Sequence, residues 1–266
     1  MRNLILKPDG CYLTPEKKIG LLSSLFPSLV FHSRQIWIVW KASRRAKAGQ
    51  YEEIDWGQSS DDILTALESV GARLEIKGLD KVRKVEGPCV IIGNHMSTLE
   101  TFVLPSLLIP AKPHTFVVKE ALLNYPVFKY VMKSRDPIAV TRSNPREDFK
   151  IVMNEGQKKL EKGISVVVFP QTTRTVDFTP SHFNTIGVKL AKRTGVPVVP
   201  LALKTDAWGN GPDCLKDFGK IDRSKRIHFE FGEVMRIAGS GQEENDRIVS
   251  FILERLEKWR EEDQKR

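Results

Sequence analysis

From residue 74 onward, short apolar runs alternate with longer stretches of helical period, and this alternation limits the fold more than any other feature of the chain. The runs are 74–77 (LEIK), 88–93 (PCVIIG), 115–118 (TFVV), 138–141 (IAVT), 164–169 (ISVVVF), 197–203 (PVVPLAL) and 226–232 (RIHFEFG). Helical stretches lie between most of them, clearest at 145–162, 183–194 and 242–262. Strands that are apolar on both faces need cover on both sides, and parallel neighbours need crossover connections. The pattern therefore predicts an α/β fold with a mostly parallel central sheet flanked by helices. Residues 48–60 read as a polar linker ending in an N-cap, Ser60, followed by the helical pattern DDILTALESV and a terminal Gly71. The 266 residues fit one domain of ordinary size with an extension, which we divide as a helical segment at 1–50 and an α/β domain at 51–266.

That extension has a different character. Apolar residues dominate from Ile19 to Trp40, but Pro27, His32, Arg34 and Gln35 interrupt them, and Lys41, Arg44, Arg45 and Lys47 follow at once. A spanning helix needs about 20 mostly apolar residues. The segment predicts instead an amphipathic helix pair lying in a membrane interface on its cytoplasmic side, with Trp37 and Trp40 at headgroup depth. Packing on the protein's own core and a transmembrane anchor are the alternatives. The first residues carry no apolar stretch and cleavage site of the kind a signal peptide has. The net charge of +9 favours anionic partners such as acidic lipid headgroups, an acidic carrier protein or nucleic acid. Cys11, Cys89 and Cys214 form no CxxC pair and no zinc-like cluster, so free thiols in a reducing compartment and no metal site are expected.

In a sheet of this kind, sites form outside the carboxyl ends of the strands. Asn94-His95 follows one apolar run, Lys119 and Arg142 follow two others, and QTTRT with Arg174 follows a fourth. One candidate general base thus faces three cations. A neutral imidazole accepts a proton from a hydroxyl if a carboxylate holds its other nitrogen, and Glu100 stands five residues after His95. Arginines beside it suit a phosphate, which they contact in bidentate fashion.

Four ordered blocks over residues ~88–203, a stretch of ordinary domain length, carry a resemblance. NHMSTLE, then FVVKEALLNYPVFKYVMKSRDPIAVTR, then VVVFPQTTRT, then GVPVVPLAL together resemble the glycerophospholipid acyltransferase family, whose best-known members are lysophosphatidate acyltransferases. The family's first motif is a histidine, four residues and an acid, matched by His95 and Glu100. The resemblance implies a cofactor-free acyl transfer at a cytoplasmic membrane face, on the inner (plasma) membrane, by a peripheral or monotopic enzyme. In it His95 deprotonates an acceptor hydroxyl, Glu100 orients His95, and Lys119, Arg142 and Arg174 bind the acceptor's phosphate. Asn94, Gln171 and Thr173 support the motifs. Acyl-CoA or acyl-carrier protein is the implied donor, a lysophospholipid the acceptor, and backbone N–H groups the oxyanion donors.

The chain departs from the family pattern at four positions. Glu100 replaces the usual Asp, and Gln171 and Thr172 replace Glu and Gly in the third motif. Thr141 replaces the Asp that often precedes the second-block arginine. These changes bear on the acceptor more than on the reaction, leaving lysophosphatidate and another lysolipid, such as a lyso-aminolipid, both open. A non-catalytic lipid-binding protein is the alternative from another class, and nucleic-acid binding would account for the charge alone. His32, His114, His182 and His228 are expected to be surface or satisfied structural groups, with His182 the nearest to the third motif; Asp177 and Asp206 have no assigned role.

Overall fold

The structure, a computed structural model, describes residues 9–171, 173–212 and 216–265. Its eight strands are β1 (Tyr12–Leu13), β2 (Arg73–Lys77), β3 (Val90–Gly93), β4 (His114–Lys119), β5 (Ile138–Val140), β6 (Ser165–Val168), β7 (Val198–Lys204) and β8 (Arg226–Phe231). The helices are α1 (Leu21–Leu25), α2 (Pro27–Lys47), α3 (Glu53–Ser69), α4 (Leu79–Lys84), α5 (Leu99–Leu108), α6 (Phe128–Ser134), α7 (Pro145–Glu161), α8 (Ile186–Thr194) and α9 (Gln242–Gln264). One sheet runs in the order β1-β2-β8-β7-β3-β6-β4-β5. Its centre, β7-β3-β6-β4-β5, is parallel throughout, and β2 is parallel to β8. The β7–β8 and β1–β2 pairs are antiparallel, so the expected mostly parallel sheet is present with a reversed flank.

Alternation of side chains places the two cores. Ile91, Val167, Val199, Leu201 and Leu203 face a layer that includes α3 and α5. Val90, Ile92, Val166, Val168 and Val198 face α7, α8 and α9, where Ile248, Ile252, Leu256 and Trp259 are buried. Successive strand residues thus serve opposite cores, as a period of two requires. All four residues of β3 and of β6 are buried, as are all seven of β7, which fits their central positions.

One predicted element moves. Residues 48–60 are not a linker ending at Ser60, because α3 already starts at Glu53. Glu52 caps it, with the Glu52 and Asp55 side chains bonding reciprocally to backbone N–H groups, a capping box built from carboxylates. Ser60 instead lies inside the helix, where its hydroxyl accepts the Ser106 N–H at 2.9 Å and binds carbonyls of α5.

The N-terminal helices share the core yet leave one side open. Pro27 starts α2, Phe31 is fully buried edge-on against Trp208 (centroids 4.7 Å apart), and His32 Nε2 contacts the Gly219 carbonyl at 2.8 Å. On the opposite side Leu21, Leu22, Leu25, Phe26, Leu29, Ile36, Trp37 and Trp40 are exposed. Among the described residues no helix is long and apolar enough to cross a membrane.

His114 departs from expectation. It is buried at the start of β4, stacked on Trp56 (4.9 Å), and among the described residues neither ring nitrogen has a hydrogen-bond partner in good geometry. Burial pushes its pKa down to about 4 from 6.5. The unfolded chain therefore takes up a proton as pH falls through about 6.5, and the folded chain does so only near 4. Stability is complete above the upper value and is lost progressively between the two, by roughly 3 kcal/mol in all. His114→Phe keeps the stack and removes the titration. Urea unfolding at about pH 7 and pH 4.5 should show the wild type losing roughly 2–3 kcal/mol more than the variant; equal losses would contradict this.

Candidate active site

The parallel centre aligns the carboxyl ends of β7, β3, β6, β4 and β5 along one edge. Each is followed by a residue singled out above or by a close partner of one: Thr205 after β7, Asn94-His95 after β3, Phe169-Pro170-Gln171 after β6, Lys119 at the end of β4, and Thr141-Arg142 after β5. Asn94 fastens its turn to the sheet. Its amide donates to the Leu203 carbonyl and accepts the Leu203 N–H, both at 2.8 Å, continuing the β3–β7 ladder with a side chain. Gly93 lies so close to β7 that an added Cβ would stand 2.9 Å from the Leu201 carbonyl oxygen.

His95 emerges from this corner with its ring 4.7 Å from Phe169 and nearly parallel to it. Its Nδ1 is 2.8 Å from Glu100 Oε1. Glu100 sits in the first turn of α5, wholly buried, and its carboxylate reaches back along the chain. It accepts the Met96 N–H (2.7 Å), the Ser97 N–H (3.0 Å) and the Thr205 hydroxyl (2.6 Å). Burial alone would raise the pKa of this carboxyl. Hydrogen bonds from His95, Thr205 and Met96, with the attraction of His95, outweigh that and hold it below the ordinary value. The residue is thus a buried carboxylate whose one ring partner is His95. The His95 side chain remains 12% exposed.

Gln171 is held inward as the second fixture of the corner. Its carbonyl oxygen accepts the His95 backbone N–H at 2.6 Å, and the Thr175 N–H donates to the His95 carbonyl at 3.0 Å. An amide oxygen meets that need as a carboxylate would, without adding charge. Thr172 lies outside the described residues. Thr173 is exposed.

The cations divide. Arg142 has a positive φ of 62°, a conformation held by Asp148 at the start of α7. The Asp148 carboxylate accepts the Thr141 and Arg142 N–H groups (2.8 and 2.7 Å) and the Thr141 hydroxyl (3.0 Å). A carboxylate absent at residue 141 is thereby supplied from seven residues on. Crowding by surrounding atoms, then the neighbouring charge of Arg174, lower the Arg142 pKa against the pull of Asp148. Arg174 forms an ion pair with Asp217 at 2.7 Å, and the Thr98 hydroxyl donates to the same carboxylate oxygen. Lys119 is exposed at the end of β4, two strand spacings, or about 10 Å, from the His95 strand. The edge therefore joins a histidine, with a buried carboxylate on its Nδ1, to a field of positive charge in which Asp217 is paired with Arg174.

His95, Glu100, Asn94, Gln171 and the three cations, singled out from the sequence, all stand at or beside this edge. Sequence reasoning did not find Ser97, Phe169, Asp148, Thr205 or Asp217. The Ser97 hydroxyl lies 3.1 Å from Glu100 Oε2 within the first motif itself. The other histidines stand elsewhere. His182 is exposed on a short 3₁₀ turn, His32 is satisfied by Gln35 and Gly219, and His228 lies 3.1 Å from Glu75. Glu75, His228 and Glu262 could together offer ligand atoms within 4.8 Å, a cluster the sequence did not reveal; Lys77 already pairs with Glu75 at 2.8 Å. Asp206 is held by Lys204 and Lys225, and Asp177 by Arg260. Cys11 and Cys89 are free thiols, while Cys214 lies outside the described residues.

Comparisons with known proteins place the chain in a family. A family model described as Acyltransferase matches residues 73–204. The chain is 32% identical over 189 residues to the 1-acyl-sn-glycerol-3-phosphate acyltransferase of Pseudomonas aeruginosa, covering 71% of this chain and 68% of that one. It is 30% identical over 131 residues to a chloroplast 1-acyl-sn-glycerol-3-phosphate acyltransferase of Brassica napus, covering 49% of this chain and 37% of the plant protein. The match thus spans little more than a third of the plant protein's length. In three dimensions it resembles the crystal structure of the 1-acyl-sn-glycerophosphate acyltransferase PlsC from Thermotoga maritima. The TM-score is 0.66 at 18% identity, covering 89% of this chain and 96% of that one, a likeness of fold.

Proposed function

The chain belongs to the glycerophospholipid acyltransferase family and is an acyltransferase, and from that premise we propose that it acylates the free hydroxyl of 1-acyl-glycerol-3-phosphate in phospholipid synthesis. The observation that carries this reading is the His95–Glu100 contact at a strand-end crevice beside Arg142 and Arg174.

In the proposed reaction Glu100 keeps the proton on Nδ1, so that Nε2 is the accepting nitrogen. As the acceptor oxygen attacks the thioester carbon of acyl-CoA or acyl-carrier protein, Nε2 takes the hydroxyl proton. The tetrahedral intermediate then collapses, the C–S bond breaks, and the imidazolium returns its proton to the leaving thiolate. Backbone N–H groups of the crevice stabilise the oxyanion. The reading calls for no cofactor besides the acyl donor. Arg142, Arg174 and Lys119 receive the acceptor's phosphate, which displaces Asp217 from Arg174 on entry. That exchange favours an acceptor with the full charge of a phosphate monoester over one with a neutral headgroup.

The exposed apolar side of α1 and α2 supports work at a bilayer surface. Trp37 and Trp40 stack at 4.9 Å, the Arg44 guanidinium lies 4.9 Å above the Trp40 ring, and Lys41 and Lys47 are exposed nearby. In this reading the enzyme is peripheral or monotopic, at the cytoplasmic face of the inner membrane, and takes its acceptor from the lipid layer.

The test is a screen of purified protein in mixed micelles that crosses acyl-CoA and acyl-carrier protein with lysolipids of different headgroups. The expected result is transfer to lysophosphatidate with kcat/KM at least ~10-fold above acceptors lacking a phosphate monoester, the share of one charge-assisted contact. Better transfer to a lyso-aminolipid would reassign the acceptor, and lysolipid binding without any turnover would refute catalysis.

A further inference from the structure

The catalytic edge of the sheet does not end at β7. Because β8 runs antiparallel to β7 and parallel to β2, the amino ends of β2 and β8 lie on the same edge as His95. There the protein has a second groove, of about 640 Å³, between the segment leading into α1 and the starts of those two strands. Lys17, Lys18, Arg73, Arg223 and Arg226 line it, against the carboxylates of Glu16 and Glu68.

The charge balance is more lopsided than that census. Glu68 is buried and engaged by the Tyr12 hydroxyl and by Thr14 Oγ1 at 2.9 Å, with Lys17 Nζ 4.0 Å away. Lys18 and Arg73 are exposed at the rim, and Arg226 Nε is buried without a hydrogen-bond partner among the described residues. The groove is built tightly around Gly71. That residue has a φ of +91°, and an added Cβ would stand 2.5 Å from Ile19 Cδ1 and 3.1 Å from Arg223 Cδ. A groove lined by five cations and two carboxylates, one of them already engaged within the protein, is suited to a phosphate oxygen.

Its surroundings select the kind of phosphate. Ile19 forms one wall, and α1 follows with Leu21, Leu22 and Leu25 exposed. Arg223 crosses from the groove to α1, donating to the Ser24 carbonyl at 3.1 Å. A soluble anion has no use for an apolar rim. A lipid has use for both, with its headgroup in the groove and its chains beside α1. We propose that this groove binds the phosphate of an acidic bilayer phospholipid, at a site separate from the acceptor site. The inference rests on the membrane-surface reading above and adds to it a discrete headgroup contact. That contact would fix how the sheet edge meets the bilayer and aim the His95 crevice at the lipid layer.

Two measurements test it. In the first, flotation compares phosphatidylcholine vesicles with vesicles containing about one-fifth phosphatidylglycerol. In the second, saturable binding is measured with dispersed short-chain phosphatidylglycerol, which carries no surface potential. Lys18→Gln/Arg73→Gln should weaken the preference for anionic vesicles roughly 25-fold, at about fivefold per charge, and the short-chain binding about 10-fold, the share of one charge-assisted contact. It should leave flotation with phosphatidylcholine alone unchanged. The control pair Lys192→Gln/Lys258→Gln, exposed on α8 and α9, should change neither. Equal effects of the two pairs would overturn the groove while leaving the membrane reading intact. Wild-type protein that floats with neither vesicle would overturn both. Displacement of the short-chain lipid by an equal concentration of inorganic phosphate would assign the groove to a free anion instead.

Discussion

Replacing His95 by Ala lowers kcat for acyl transfer by about 10³–10⁴, with KM for the acceptor changed little. In the proposed reaction the ring is the group that takes the acceptor's proton, and its Nδ1 is engaged by a buried carboxylate at 2.8 Å. Removing it leaves the backbone N–H groups of the crevice and the cations in place, so a residual rate above the uncatalysed reaction should remain. The fold should survive, because the contacts that build the corner are those of its backbone. The His95 N–H bonds Gln171, and its carbonyl accepts from Thr175. The variant does uncover the Glu100 carboxylate, which keeps its backbone donors and the Thr205 hydroxyl. Initial rates over a range of acceptor concentrations, with circular dichroism and vesicle flotation as controls, check this. Wild-type turnover in the variant would exclude His95 as the base.

How much of this was legible in the sequence depended on how local the signal was. The strands could be read because each central one is apolar on both faces, as at Val90–Ile92 and Val166–Val168. The start of α3 was misread because its cap is Glu52 with Asp55, while Ser60, the better N-cap by residue type, spends its hydroxyl on α5. The reversal at β8 left no local mark, since antiparallel pairing to β7 depends on the long excursion between them. The same division runs through the site. His95 and Glu100 lie five residues apart and their spacing survives in the text of the chain. Thr205 reaches Glu100 across 105 residues, and Asp217 reaches Arg174 across 43, through a loop whose course nothing in its composition announces. Asp148 could have been found. It is seven residues from Thr141, in the first turn of a helix, where a carboxylate is placed to cap a strand end as well as a helix.

Glu100 carries the second large effect, and the structure changes what its variants should do. By the resemblance, the family usually has Asp here, and Glu keeps that charge. In the folded protein the carboxylate lies where the Met96 and Ser97 N–H groups, the Thr205 hydroxyl and His95 Nδ1 converge, at 2.6–3.0 Å. Glu100→Asp retracts the carboxylate by about 1.5 Å, one C–C bond. It cannot then hold the backbone donors and the ring together, and a shift of that size costs about 10² in kcat. Glu100→Gln is more severe. An amide with its nitrogen toward His95 donates to Nδ1, leaving the proton on Nε2 where the base is needed, and cannot accept from Met96 or Ser97; turned the other way it keeps those donors but lacks the charge that stabilises the imidazolium. The expected loss is about 10³–10⁴ in kcat. Each buried donor left without an acceptor adds about 1–3 kcal/mol of destabilisation. The two effects separate by measurement. Turnover reports the tautomer, urea unfolding reports the orphaned donors, and the Nδ1–H signal of His95 by NMR should be lost in the Gln variant and weakened in the Asp one. Full activity in Glu100→Asp would mean that the α5 turn shifts to follow the shorter side chain. Full activity in Glu100→Gln would remove the need for a negative charge on the ring of His95, because an amide oxygen at the Oε1 position can still accept the Nδ1–H but cannot stabilise the imidazolium.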